Sequence, residues 1–183
     1  SYDNRLIRRL RDELHLSVFA FDYRGYGRSE GKPTVTGVLD DARSARAWLA
    51  RRAEIPEGQV VLMGRSLGGA VVIQLAGELP PRGLVVESSF ASLREVADHH
   101  FSKLSWLVPR DELNSAATLA RYQGPLLVSH GDADRTIPPA HGQKLFETAR
   151  GQKQFFNIAG GDHNDPQPDD YYRRLNRFLD ELP

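Results

Sequence analysis

Ser66 stands in the run Gly64-Arg65-Ser66-Leu67-Gly68-Gly69, where an apolar stretch ends and a small-residue helical pattern begins. A strand, a tight glycine turn and a helix in that order form the setting in which a serine hydroxyl is lifted above a sheet edge on a strained backbone. Gly64 and Gly68 leave the room such a turn needs. A serine hydroxyl is a weak nucleophile alone; it needs a base, and the base needs a group to orient it. Two later loops offer both, in the chain order serine, acid, histidine. His130-Gly131-Asp132-Ala133-Asp134-Arg135-Thr136-Ile137-Pro138 carries Asp132 and Asp134. Asp134 is favoured because it lies deeper in the strand-to-helix loop, whereas Asp132 follows the glycine turn directly. Gly160-Gly161-Asp162-His163-Asn164-Asp165 carries His163. The chemistry these groups would do together is acyl transfer through a covalent intermediate. An inert bend is the competing reading of the glycine–serine turn, and the ordered acid and histidine loops weigh against it.

The elements around these loops must bring all three groups to one edge of a sheet. Hydrophobic periodicity predicts a helix over Tyr2–His15 and a strand over Leu16–Phe21, then a glycine-punctuated loop from Asp22 to Pro33 and a helix over Thr36–Glu54. Strands follow at Gln59–Met63, Gly83–Val86, Pro125–Ser129 and Gln154–Ile158. Helices are expected at Ala70–Leu79, around Leu93–Leu104 and Leu113–Tyr122, at Pro138–Thr148 and at Asp169–Leu182. Strands alternating with helices argue for an α/β fold, with a mostly parallel sheet covered on both faces. The functional groups then gather at the carboxyl ends of the strands.

Composition narrows the partners. The chain has 183 residues, of which 24 are Lys or Arg and 24 are Asp or Glu, so its formal net charge is zero and nothing general favours nucleic acid or an anionic surface. Without cysteine there are no disulfides, thiolate metal sites or cysteine nucleophiles in it. Its apolar runs are far shorter than a membrane span, and its first residues are polar and Arg-rich, unlike a signal peptide. Asp98-His99-His100 is no metal motif, because adjacent histidines diverge on a helix. Gly25 and Gly27 lack the spacing of a dinucleotide loop and the lysine–serine ending of a phosphate loop. No cofactor is expected. His130 reads as a structural residue at a strand end, and His15 and His141 read as surface or helix-end residues. His99 and His100 stand near Phe101 and Trp106, where lining a cap or substrate pocket competes with plain packing.

On these residues the chain resembles the α/β-hydrolase superfamily, and within it the serine hydrolases of the Bem46-like, ABHD13- and ABHD17-like group. The resemblance runs through Phe21–Ser29, matching the loop after the fourth strand of that fold, the elbow Gly64–Gly69, and Glu87-Ser88-Ser89-Phe90 after the sixth strand. His130–Pro138 matches its acid loop and Gly161–Asn164 its histidine loop. It implies one α/β-hydrolase domain over residues 1–183, with Ser66 as nucleophile, His163 as base and Asp134 as the orienting acid. The backbone N–H of Leu67 is then one oxyanion donor. Residues 89–123 fall where this fold inserts a cap, so Phe90, His99, His100, Phe101, Trp106 and Ile137 are candidate pocket residues. The implied activity is hydrolysis of an ester or thioester on a small-molecule or lipid-like acyl substrate. Peptide or amide cleavage and a non-catalytic binding or scaffold role are the alternatives.

The resemblance also leaves strands one to three of the family fold, and the second oxyanion donor, without a counterpart in Ser1–Pro183. The third strand lies between the fourth and fifth in that fold. The expectation is therefore a C-terminal part of a longer protein, which agrees with the missing initial Met, its preceding segment supplied by a separate chain or omitted. A cytoplasmic location is favoured, although a preceding segment could carry a signal or an anchor. Oligomeric state stays open.

Overall fold

The computed structural model describes residues 4–100, 109 and 112–183. The chain divides into two compact units, Ser1–Glu54 and Ile55–Pro183.

In the first unit, helix α1 spans Asn4–Arg8 and continues as a π-helical turn over Arg9–Glu13 that buries Leu10. The long helix α2, Val35–Ala53, starts where the Thr34 hydroxyl accepts the Gly37 N–H at 3.0 Å and ends as Glu54 turns left-handed at φ 55°. Both ends thus supply the caps that a helix cannot supply internally. The loop before α2 is tied to it by Arg24, whose Nη2 donates to Asp41 Oδ1 at 2.7 Å and whose N–H donates to Oδ2 at 2.8 Å. The strand expected over Leu16–Phe21 is not formed: the segment pairs with no strand among the described residues. β-branched and aromatic residues favour an extended backbone, but a strand exists only beside a neighbour about 4.8 Å away that takes up its N–H and C=O groups. Here the aromatic rings pack on one another instead. Phe19 lies 4.7 Å from Trp48 and Phe21 lies 5.1 Å from Tyr23, centroid to centroid.

The second unit holds the sheet. Strands β1 (Val61–Arg65), β2 (Gly83–Glu87), β3 (Leu126–Gly131) and β4 (Lys153–Ile158) run parallel in the order of the sequence. Between them lie α3 (Leu67–Glu78), α4 (Leu93–His100), α5 (Ser115–Leu119) and α6 (Pro139–Thr148), and α7 (Asp169–Asp180) closes the chain. β2 and β3 are buried at every residue, as central parallel strands covered on both sides must be, whereas β1 and β4 are only partly buried. The two faces are visible at β4. Phe155 packs 5.6 Å from Phe146 of α6, and its neighbour Phe156 packs 5.8 Å from Tyr171 of α7. Successive strand residues point to opposite faces, so α6 and α7 cover opposite sides of the sheet. Register fixes which residues share the carboxyl edge: Arg65 pairs with Glu87, Glu87 with Ser129, and His130 with Asn157. The predicted helix around Leu93–Leu104 is formed as far as His100, and Phe101, Leu104 and Trp106 lie outside the described residues. No described helix is long and apolar enough to cross a membrane.

Candidate active site

A single residue, Ser66, joins β1 to α3, and it does so at φ 54° and ψ −123°, a conformation that a residue with a side chain seldom adopts. The surroundings hold it there. Its N–H donates to the Glu87 carbonyl at 2.9 Å, and its own carbonyl accepts the Ser89 hydroxyl at 2.8 Å and the Gly69 N–H at 3.0 Å. A methyl group on Gly64 would collide with the backbone of Gly68, and one on Gly69 would stand 2.6 Å from Ser89 Cβ. The glycines are therefore dictated by close approach within the turn and between the start of α3 and the segment after β2, and the hydrogen bonds to these neighbours offset the strain. Leu67 opens α3, so its N–H has no acceptor one turn back in its own helix.

The acid loop follows β3. Asp134, whose side chain is fully buried, folds its Oδ1 back onto the N–H groups of Thr136 at 2.9 Å and Ile137 at 2.8 Å. That turn leads directly into Pro138 and α6. Its other oxygen, Oδ2, meets Nδ1 of His163 at 2.8 Å, and Nε2 of His163 lies 3.1 Å from Ser66 Oγ. Because a carboxylate only accepts, Nδ1 of His163 carries the proton and Nε2 is left to accept the serine hydroxyl. The sequence favoured Asp134 over Asp132, and the two aspartates do different things. Asp132 accepts from the Gly160 N–H at 2.7 Å and the Asn157 side chain at 3.0 Å, which hold its carboxyl below the usual carboxylate range, the Asn157 bond foremost.

The histidine loop is held from both flanks. Asp162 accepts the N–H of Arg135 at 3.0 Å, the Arg135 guanidinium at 2.9 Å and the N–H of His163 at 2.8 Å. Led by the Arg135 N–H, these bonds keep its carboxyl far below the usual range. From the other side Arg65 donates to the carbonyls of His163 and, at 3.1 Å, Asp165. Neither Arg65 nor Asp162 stood out in the sequence as a holder of this loop. Their spacing from their partners carries no local signal.

The candidate pocket residues lie in different surroundings. Phe90 and Ile137 are buried in the core at 3 % exposure. His99 lines a cleft of about 420 Å³ between α4 and α6, together with Glu95, Asp98, Pro138, Ala140, His141 and Lys144; Ser66, Asp134 and His163 do not line it. His100 is exposed and its Nε2 donates to the Thr136 carbonyl at 2.7 Å. His141, read as a surface or helix-end residue, stands in the first turn of α6 but is buried there: α6 turns it inward, where Nδ1 accepts the Ala91 N–H at 3.4 Å, and burial lowers its affinity for a proton. Among the described residues no group of three or more His, Cys, Asp or Glu is placed to hold a metal ion.

Comparison with known proteins gives the geometry a family. The model of the family described as serine aminopeptidase, S33, matches residues 2–115, well over half of the chain. The chain belongs to this family. It is 37% identical over 175 residues to the uncharacterized protein Rv2307c of Mycobacterium tuberculosis, covering 92% of this chain and 61% of that protein. The chain thus spans about three-fifths of the length of that relative. Among solved structures it resembles the esterase domain of a Rhodothermus marinus protein, with a TM-score of 0.71 and 23% identity over 98% of this chain and 79% of that one. It also resembles a monoacylglycerol lipase from Paleococcus ferrophilus, with a TM-score of 0.73 and 21% identity over 95% and 87% of the two chains. These likenesses establish the α/β-hydrolase fold, and the four-stranded parallel sheet flanked by helices is part of it.

Proposed function

We propose that this S33-family chain carries the catalytic triad of a serine hydrolase of the Bem46-like, ABHD13- and ABHD17-like group, acting on an ester or thioester of a small-molecule or lipid-like acyl compound. The observation that carries the reading is the continuous relay from Ser66 Oγ to His163 Nε2 at 3.1 Å and from His163 Nδ1 to Asp134 Oδ2 at 2.8 Å. In it His163 takes the hydroxyl proton as Ser66 attacks the acyl carbon, and Asp134 keeps the imidazole in the tautomer that accepts this proton. The N–H of Leu67 donates to the oxyanion of the tetrahedral intermediate. Collapse expels the alcohol or thiol, which leaves with the proton from His163. Water, deprotonated by the same imidazole, then releases the acid and restores Ser66. No cofactor enters any step.

That two structural neighbours are an esterase domain and a monoacylglycerol lipase favours an acyl ester, and the family's aminopeptidase members keep amide cleavage as the second reading. Residues 89–123 are read as a short cap. Phe90 follows Ser89, whose hydroxyl bonds the Ser66 carbonyl, and the Ile137 N–H itself bonds Asp134, so both are read with the cap residues as the wall of an acyl site. The test is covalent labelling by a fluorophosphonate probe, which requires an activated serine but no knowledge of the natural substrate. The protein is expected to label and Ser66→Ala is expected not to. Absence of labelling in both favours a binding or scaffold role, and equal labelling moves the nucleophile to another residue.

A further inference from the structure

Asp134 does not serve His163 alone. Its Oδ1 is occupied by two backbone N–H groups, which leaves Oδ2 to meet two imidazoles: His163 at 2.8 Å and, from the end of β3, His130 Nε2 at 3.2 Å. Both His130 and the acid are buried, with side-chain exposures of 1 % and 0 %. We propose that His130 is a positioning residue for the relay, sharing its Nε2–H between the Ile137 carbonyl and Asp134 Oδ2 and so fixing the oxygen that faces His163. The proposal rests on the hydrolase reading and deepens it.

The tautomer of His130 follows from its partners. The Ile137 carbonyl, 2.9 Å from Nε2, can only accept, so Nε2 carries the hydrogen. Nδ1 is buried without a hydrogen-bond partner, and α6 lies directly against it: a methyl group on Gly142 would collide with that nitrogen. A second proton on Nδ1 would find no acceptor. The titratable groups facing this imidazole are Asp134 on its own loop, His163 on the histidine loop and His141 on α6, while β4 contributes Asn157 opposite it in register. Burial, foremost, lowers its affinity for a proton. His130 is therefore a fixed neutral donor rather than a second base competing with His163. It also takes up the remaining lone pair of Oδ2, which in a site closed to water would otherwise pull harder on the proton of His163.

The test measures the rate of fluorophosphonate labelling from about pH 5 to 9, the range in which an imidazole titrates, for the protein, His130→Leu and His130→Gln. Leu removes the donor, so the carboxylate holds the His163 imidazolium more firmly and the acid-side midpoint rises by about 0.5 unit or more. Gln restores a side-chain N–H and brings the midpoint back to within about 0.2 unit of the parent. The low-field proton resonance of His163 Nδ1–H moves in the Leu variant and returns in the Gln variant. Should His130→Leu fail to fold, Gly142→Ala displaces the ring from the other side and shifts the same two signals towards the Leu values. Unchanged signals in Leu, or equal displacement in Leu and Gln, overturn the proposal while leaving the hydrolase reading intact. An unlabelled parent protein, or labelling of Ser66→Ala at the parent's rate, overturns both.

Discussion

Asp134 shows how one side chain can be asked for two things. Its Oδ1 shapes the turn by accepting the Thr136 and Ile137 N–H groups, and its Oδ2 orients His163. Asp134→Asn separates these roles. The amide oxygen still accepts the two backbone donors, so the turn is expected to persist, while the amide NH2 meets the buried Nε2–H of His130 donor to donor and lowers the melting temperature. The amide NH2 then faces His163 as a donor and favours the tautomer with its proton on Nε2, which cannot accept from Ser66. Labelling is expected to slow by about 10⁴-fold, the cost of the same tautomer error in the template serine proteases. A slowing of less than about tenfold would show that the acid is not needed to hold the tautomer. Ser66, Asp134 and His163 were legible in the sequence as candidates because each lies in a glycine-bearing turn that follows a strand. The second contact of Asp134, to His130, was not. The two residues are four apart, but only the curl of the loop brings the ring back to the carboxylate.

Within the loops that follow β3 and β4, polar side chains act as clamps. Asp132 holds Gly160 and Asn157, Asp162 holds Arg135, and Arg65 reaches the carbonyls of His163 and Asp165. A loop has few buried contacts of its own, so such bonds set how still the histidine stands. Replacing Asp162 with Ala removes the acceptor for the N–H groups of Arg135 and His163 together. Amide exchange over residues 160–165 is expected to quicken about tenfold or more, and labelling to slow, with exchange in β2 and β3 unaffected. Unchanged exchange in the loop would show that Arg65 and Asp132 suffice. The pH dependence has a definite sign. A carboxyl held below its ordinary range contributes fully to the folded loop above the unfolded value of about 4 and loses that contribution progressively as pH falls from there through the folded value. The Asp162→Ala loop should therefore lack the part of the acid-induced loosening that Asp162 causes in the parent.

Across the second unit, the sheet buries more than apolar side chains. Glu87, the last residue of β2, is 1 % exposed, lies in register between Arg65 and Ser129, and has Oε1 without a hydrogen-bond partner. Burial raises its pKa, an effect partly offset by Tyr171, Arg65 and Gln167. A carboxyl whose folded pKa is raised binds its proton more tightly in the native state. Its stability contribution is present below the unfolded value of about 4.3 and declines as pH rises from there towards the folded value. Glu87→Gln has no such loss, so the difference in melting temperature between variant and parent is expected to grow in the variant's favour from about pH 4 to pH 8. A difference independent of pH would mean that the carboxyl stays ionised in the fold. By contrast, Leu84→Ala, at a fully buried position in the same strand, should cost about 2–5 kcal/mol at any pH, measured by denaturant unfolding.

Local sequence determined the parts whose physics is local. The apolar runs became β1 to β4, the Gly64–Gly69 turn became a strained elbow, and Pro138 set the start of α6, because dihedral preference and close approach act over a few residues. Only the tertiary structure decided the pairings. Leu16–Phe21 has the composition of a strand and forms none, since composition cannot supply a neighbour. His141 turned inward, and His130 came to rest on Asp134, because packing of α6 against one face of the sheet selects the residues that are buried. Arg65 and Asp162 became the holders of the histidine loop for the same reason: hydrogen-bond partners far apart in sequence meet only when parallel strands in fixed register gather their loops at one edge.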